Sequence, residues 1–273
     1  MPQLWLSEQQ AVSAPRLNVS AQRIDKELLR SRFQRAAGSY DSQALVQERT
    51  AEHLLDLLAQ HGGSAPQRAL EIGCGSGLLT RRLLARCCGI EELTLSDLTP
   101  ALPACPPACS ARLRLLPGDI ETLPLPGPFD LIISSSALHW LHDLKSLLGR
   151  LAAGLSPGGS LAFSLYGPDN LREIKALTGL GLRYSSLAAV AAMLRDSGLA
   201  VLHSSEEAAA LHFASPQDVL RHLRQTGVNA LSREPWSRTR LEHFCAEYRA
   251  RFSASGGVAL TYHPMYCIAK RLP

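Results

Sequence analysis

Gly73, Gly75 and Gly77 stand at alternate positions directly after the apolar run Ala69-Leu70-Glu71-Ile72 and directly before a helical segment, Leu78 to Ala85. Glycines so placed let a chain turn sharply from strand to helix and bring its backbone against a ligand with no side chain in the way. A dinucleotide fingerprint would need a glycine at position 78; Leu78 stands there, which disfavours a pyrophosphate seat. Further along, polar residues close successive apolar runs. Asp97 ends Leu93-Thr-Leu-Ser-Asp97, where a carboxylate can accept from both hydroxyls of a ribose; it could equally be a turn or cap aspartate before Pro100. Gly118-Asp119-Ile120 follows a third run, Ser134 ends a fourth (Phe129 to Ser134), and Ser156-Pro-Gly-Gly turns into a fifth. Glu71 is a carboxylate inside an apolar strand, costly to bury unless it finds a partner; Arg68 offers an ordinary salt bridge.

These residues need a parallel sheet to carry them. Five buried runs alternate with helical stretches, so the chain reads as an α/β fold with the polar residues gathered at the strand ends. Residues 1–22 read as a flexible tail and 23–62 as an N-terminal helical cap, helical from Ile24 to His61 with a break at Gly38-Ser-Tyr40-Asp41. The helix from Gln43 to His61 is expected to turn Leu45, Leu54, Leu55 and Leu58 inward. Residues 63–214 form the core, in which the proline-rich stretch from Leu98 to Ala111 is loop-like and His139-Trp140-Leu141 opens the helix that ends near Leu155. Helices are expected over Asp169 to Thr178 and Ser185 to Asp196, and a long sixth strand over Leu199 to Phe213. Residues 215–252 read as a helical lid insertion, with helices to Gln225 and from Ser237 to Phe252, and 253–273 as the final strand, Gly257 to Ala269.

Composition sets the outer limits. At 273 residues the chain holds one large domain, or a core with a small appendage. Its net charge of +4 is too mild to argue for nucleic acid, and no apolar run approaches the length of a membrane span. The start, Met1-Pro-Gln-Leu-Trp-Leu, lacks the basic and apolar segments of a secretory signal. Seven cysteines, among them Cys87-Cys88 and Cys105/Cys109, show no metal-ligand spacing and read as free thiols in a reducing cytoplasm, with no bound metal expected.

The run Glu71-x-Gly-x-Gly-x-Gly77 resembles the first motif of class I S-adenosylmethionine (SAM) methyltransferases. More of the chain, roughly residues 26 to 270, is similar to one family within them, the malonyl-[acyl-carrier protein] O-methyltransferases of biotin biosynthesis. The resembling pieces are Arg32-Phe-Gln-Arg-Ala-Ala-Gly-Ser-Tyr-Asp41 with Gln47, Leu70-Glu-Ile-Gly-Cys-Gly75, Gly118-Asp-Ile-Glu121, Ala137-Leu-His-Trp-Leu141, Leu220-Arg-His-Leu-Arg-Gln-Thr-Gly-Val-Asn-Ala230 and Leu260-Thr-Tyr-His263. The run from Arg32, the Thr-Gly-Val-Asn-Ala stretch and the terminal Thr-Tyr-His are the family-specific ones. Two departures stand out: Gly167 to Arg183 is shorter than in many members, and His139 stands where glutamine is usual. The resemblance implies a Rossmann-like fold, a mostly parallel seven-stranded sheet with an antiparallel last strand, plus the lid. It implies SAM as methyl donor, held by Glu71, Gly73, Cys74, Gly75, Gly77, Asp97, Leu98, Asp119, Ile120 and Ser134. In that scheme Asp97 takes the ribose, Asp119 the adenine amino group, Ile120 packs on the ring and Glu71 lies near the ammonium.

The activity so implied is methylation of the free carboxylate of a malonyl thioester on an acyl-carrier protein. For the substrate, Tyr40, His139, Arg172, Arg183 and Tyr262 are the candidates, each with an ordinary alternative as packing or solvated surface. Arg221, Arg224, Arg233, Arg238, Arg240, Arg249 and Arg251 crowd the lid and suit an acidic carrier, or a solvated face. A methyltransferase for another small acid or a quinone precursor shares the donor motifs, and a SAM-binding scaffold without catalysis belongs to a different class.

Overall fold

The five apolar runs form the strands of a twisted sheet in the computed structural model, which describes residues 24–62, 65–100, 102–103, 110–227, 236–254 and 256–273, with only the backbone described at 36–43. Two helices come first, α1 (Lys26–Gln43) and α2 (Leu45–His61). Then follow β1 (Arg68–Ile72), α3 (Leu78–Arg86), β2 (Glu92–Asp97), β3 (Arg112–Pro117) and β4 (Phe129–Ser134). A single 3-10 turn, Leu138–Trp140, precedes α4 (Leu144–Gly154) and β5 (Leu155–Tyr166). The second half holds α5 (Arg172–Thr178), α6 (Leu187–Asp196), β6 (Leu199–Glu206), β7 (Ala209–Phe213), α7 (Pro216–Gln225), α8 (Arg238–Phe252), β8 (Ser253–Ala254), β9 (Gly257–Tyr262) and β10 (Pro264–Arg271).

The main sheet has seven strands in the order β3-β2-β1-β4-β5-β10-β6. The first five pair in parallel and β10 lies antiparallel between β5 and β6, as the expected fold class requires. Strand order reverses between β1 and β4, and the crevice beyond the carboxyl ends of strands at such a point is where open α/β sheets take ligands. Both faces are covered. Leu70, Ile72, Ile132 and Phe163 pack on one side with Leu147, Leu151 and Leu194; Ala69, Leu93, Leu131 and Ile133 pack on the other with Leu54, Leu79 and Leu83.

Several boundaries differ from the sequence reading. The α1 helix runs on through residues 38–41, and the break falls at Ala44; a Gly-Ser pair costs a helix about 1 kcal/mol, which is too little to end it. Leu45 is 56% exposed. It lies six residues from Ala51, the centre of the buried stripe, and so roughly 120° round the helix. The helix after β4 begins at Leu144 and not at His139, because Asp143 accepts from the Ser146 amide and sets the N-cap there.

The two long alternating stretches are each two strands. β6 and β10 belong to the main sheet, whereas β7 and β8 flank β9 in a separate three-stranded sheet. That sheet and α7 and α8 share a third apolar cluster that includes Val219, Leu223, Phe244, Tyr248, Leu260 and Tyr262. The segment expected to be a helical lid is therefore part of a helix-and-sheet layer rather than helices alone. It is tied to the core by Glu173, whose buried carboxylate accepts from the Thr261 amide at 3.0 Å and the Thr261 hydroxyl at 2.5 Å.

Candidate functional site

At the reversal point the glycine turn after β1 sits above Ser96, whose carbonyl accepts from the Gly73 and Cys74 amides. All three glycines of the turn have positive φ, +73°, +50° and +80°, a region that side chains resist. Their surroundings separate their roles. A Cβ on Gly73 would lie 2.3 Å from the Ala137 Cβ, and one on Gly77 equally close to Pro103. A Cβ on Gly75 would meet nothing within 4 Å, since this residue faces an open cavity. Gly73 and Gly77 thus answer to packing, and Gly75 to whatever fills the cavity.

The cavity has a volume of about 490 Å³, within the range of small-molecule sites. Of the residues expected to hold a donor, Gly73, Gly75, Asp97, Leu98, Asp119 and Ile120 line it. Asp97 accepts from the Gly75 amide at 3.0 Å and the Thr99 amide at 3.0 Å, which fixes its carboxylate at the cavity wall. Glu71, Cys74, Gly77 and Ser134 are not among the lining residues. The Ser134 hydroxyl is fully buried and donates to the Ile72 carbonyl at 2.8 Å, so it braces the β1–β4 pair; Ser135, Ser136 and Ala137 take the lining position instead.

Glu71 is buried behind the turn, and its Oε2 has no hydrogen-bond partner. Arg68 does not reach it, lying 3.9 Å from Glu92 instead. Burial pushes the Glu71 carboxyl up to about 8, with Thr80 drawing it down and the Asp97 charge adding to the rise. Burial likewise drives the Cys74 thiol far up, so it is an inert wall of the turn.

One whole side of the cavity comes from α1, the helix that carries the family-like run from Arg32. Lys26, Leu29, Arg30, Phe33 and Gln34 line it, and Phe33 meets Trp140 edge-on at 6.1 Å. Lys26 bonds Asp119 at 3.1 Å and Glu121 at 2.7 Å, pinning the cap across the end of β3. Burial opposes ionisation of Glu121, yet Lys26 and the amides of Asp143 and His142 hold its carboxyl down to about 2. The signal was the family-like segment around Phe33; its charge pairing over such a sequence separation had none.

Residues 70–163 match a family model described as a methyltransferase domain. The YcgJ protein of Bacillus subtilis has the same fold, with a TM-score of 0.57 and 18% identity over 81% of this chain and 99% of that one. Two relatives are much nearer. The malonyl-[acyl-carrier protein] O-methyltransferase of Chlorobium luteolum is 40% identical over 254 residues, 90% of this chain and 96% of its own length. That of Prosthecochloris aestuarii is 40% identical over 259 residues, 92% of this chain and 96% of its own. The chain belongs to the malonyl-[acyl-carrier protein] O-methyltransferase family. It is an enzyme of the class I fold, with SAM as its methyl donor.

The substrate candidates of this methyltransferase scatter. The Tyr40 side chain lies outside the described residues, as do Arg233 and residues 228–230 of the Thr-Gly-Val-Asn-Ala stretch. Tyr262 is buried among aromatic rings and its hydroxyl lies 2.8 Å from His222 Nε2, so its polar end is engaged within the lid. Arg172 is largely exposed and its guanidinium lies 3.5 Å from Glu173. His139 and Arg183, by contrast, line one second cavity of about 230 Å³, which shares Leu138 and Leu141 with the first. Burial pushes the His139 imidazole down to about 3, so it is neutral at physiological pH.

Proposed function

We propose that this enzyme methylates the free carboxylate of a malonyl thioester carried on an acyl-carrier protein, giving the methyl ester that begins pimeloyl synthesis for biotin. The observation that carries this reading is the reach of the likeness. Identity of 40% extends over 90% of the chain, well beyond the core that carries the donor motifs. Free thiols at Cys74, Cys87, Cys88, Cys245 and Cys267 suit a cytoplasmic setting. Among the described residues, no helix is long and apolar enough to cross a membrane.

The cavity residues fit the donor in kind. In this reading the Asp97 carboxylate, at the cavity wall, would accept from ribose hydroxyls, Asp119 and Ile120 would meet the adenine edge and face, and Gly75 would admit the ligand against bare backbone. Glu71, with its Oε2 unpartnered behind the turn, would gain from an ammonium held nearby, directly or through water. When bound, SAM supplies an electrophilic methyl group on a sulfonium. A malonyl carboxylate oxygen held in line with that methyl would take it, the electron pair of the carbon–sulfur bond going to sulfur. No proton moves, so no general base is required. Opposite charges disperse at the transition state, which a dry site favours, and α1 with Phe33 and Trp140 closes one side against water. The protein's share is alignment of oxygen, carbon and sulfur.

Incubating the enzyme with labelled SAM and malonyl-carrier protein, and weighing the carrier, tests the reading. One added methyl, removable by an esterase, is the expected product, and acetyl-carrier protein should gain none. Equal labelling of the acetyl form, or methylation at carbon, would sink it.

A further inference from the structure

The second cavity has the build of an acceptor pocket. It adjoins the donor cavity through the shared residues Leu138 and Leu141. Its inner wall is aromatic. His139 packs edge-on to Tyr166 at 4.9 Å between ring centres and lies 6.3 Å from Tyr184, itself fixed by a 2.9 Å bond from Asn170. His139 Nδ1 is buried and has no hydrogen-bond partner, an expensive arrangement that a ligand would relieve. The Tyr166 hydroxyl accepts from Ser136 at 3.4 Å, and Ser136 lines the donor cavity. Ser136 holds φ at +55°, a strained value for a non-glycine residue and the kind that gathers at working sites. Polar groups thus bridge the two cavities where a nucleophile would have to stand.

The charges at the outer rim point the same way. Arg183 is exposed there, whereas Lys145 is held by Asp196 at 2.9 Å and the Asp143 carboxylate caps α4. Arg183 is left as the cation for an incoming anionic group, and the interior carries neutral polar atoms.

We propose that this second cavity seats the malonyl group, its carboxylate hydrogen-bonded by His139 beside Tyr166 and Ser136, with Arg183 at the mouth meeting the anionic arm of the carrier. The proposal rests on the malonyl reading above. Its chemical logic is that a carboxylate clamped by arginine is a poor nucleophile, since the guanidinium withdraws the charge that must attack. A neutral imidazole in its Nδ1–H form and a hydroxyl hold the same oxygens and leave that charge in place. Burial keeps His139 neutral, so the pocket orients without neutralising. The glutamine usual here in the family would serve the same purpose, being another neutral donor.

The test compares wild type, His139→Leu, His139→Gln and Arg183→Glu in steady-state methylation of malonyl-carrier protein, with S-adenosylhomocysteine binding measured by calorimetry. His139→Leu should lower kcat/KM for the malonyl substrate about ten-fold or more while S-adenosylhomocysteine affinity holds. His139→Gln should recover most of the loss. Arg183→Glu should raise KM for the carrier-bound substrate and leave kcat near wild type. If His139→Leu does not fold, Tyr166→Phe carries the same comparison, since it removes only the hydroxyl. An active wild type alongside variants with unchanged kcat and KM overturns the proposal alone, as does a glutamine variant no better than the leucine. A folded wild type that binds S-adenosylhomocysteine but leaves malonyl thioester unmodified overturns the malonyl reading as well.

Discussion

Gly75 and Gly77 are two residues apart and both left-handed, yet substitution should injure the enzyme in different ways. Alanine at Gly77 must displace Pro103, so Gly77→Ala should lower the melting temperature. Alanine at Gly75 carries a backbone cost of roughly 1 kcal/mol but enters open space. Gly75→Ala should therefore lose far more S-adenosylhomocysteine affinity than thermal stability, and calorimetry beside a melt separates the two; equal loss of both would refute the distinction. Asp97 answers a second test. Asp97→Ala should cost about 1.5–3 kcal/mol of donor affinity, roughly ten-fold to over a hundred-fold in Kd, and Asp97→Asn less, because the amide oxygen can still cap the Gly75 amide. A folded Asp97→Ala with unchanged affinity would remove this carboxylate from the site. Much of the donor side was legible because glycine spacing and strand-end carboxylates are local facts. Ser134 was not, since a hydroxyl at a strand end can face the ligand or the neighbouring strand, and only the β1–β4 register turns it toward Ile72.

At the scale of elements, α1 is held to the core by a few charges, and that hold should depend on acidity. Glu121 has its carboxyl depressed to about 2 from an ordinary 4.5. Folding therefore keeps it ionised where the unfolded chain would protonate it. Its contribution is fully present above about 4.5 and is lost as pH falls toward 2. Hydrogen exchange in α1 should rise over that window in wild type, and Lys26→Met should raise it already at neutral pH; exchange that ignores both changes would show the cap is held by Phe33 and Leu29 alone. The sequence told less of elements than of motifs. Strands β1 to β5 and the helices capped by Ser186, Ser215 and Ser237 were readable from apolar runs and capping residues. The divisions between β6 and β7 and between β9 and β10 were not. Residues 206–210 at the first junction are all exposed and 260–269 at the second are all buried, so no change of period marks where one sheet gives way to the other. His263-Pro264 carried the only local sign at the second junction, since proline cannot donate to a ladder. At the first, Glu207-Ala208 carried none.

Across the whole molecule, charge is modest in sum and uneven in place. The chain has 28 basic and 24 acidic residues, a net of +4, but arginines collect on α7 and α8. Some are already offset: Arg221 bonds Asp218 at 2.5 Å and Arg238 bonds Glu242 at 2.9 Å. Arg249 instead reaches Gln217 on α7 at 3.3 Å, which lays α8 beside the α7 face that carries positions 217, 221 and 224. Arg224 and Arg249 are therefore the charges best placed to act together on an acidic partner. A carrier protein brings its malonyl group on a flexible arm, so its body must dock away from the cavities, and steering by such a patch acts on encounter more than on chemistry. Screening shortens the reach of these charges to about 8 Å at physiological ionic strength. The Arg224→Glu/Arg249→Glu double variant should accordingly raise KM for malonyl-carrier protein several-fold at low salt. That gap should close as salt rises, while kcat and S-adenosylhomocysteine affinity stay put. Malonyl-coenzyme A, with fewer charges to engage, should respond less to both salt and substitution. If the variant matches wild type on the carrier-bound substrate at low salt, docking lies elsewhere and the arginines of this face serve only to keep the lid solvated.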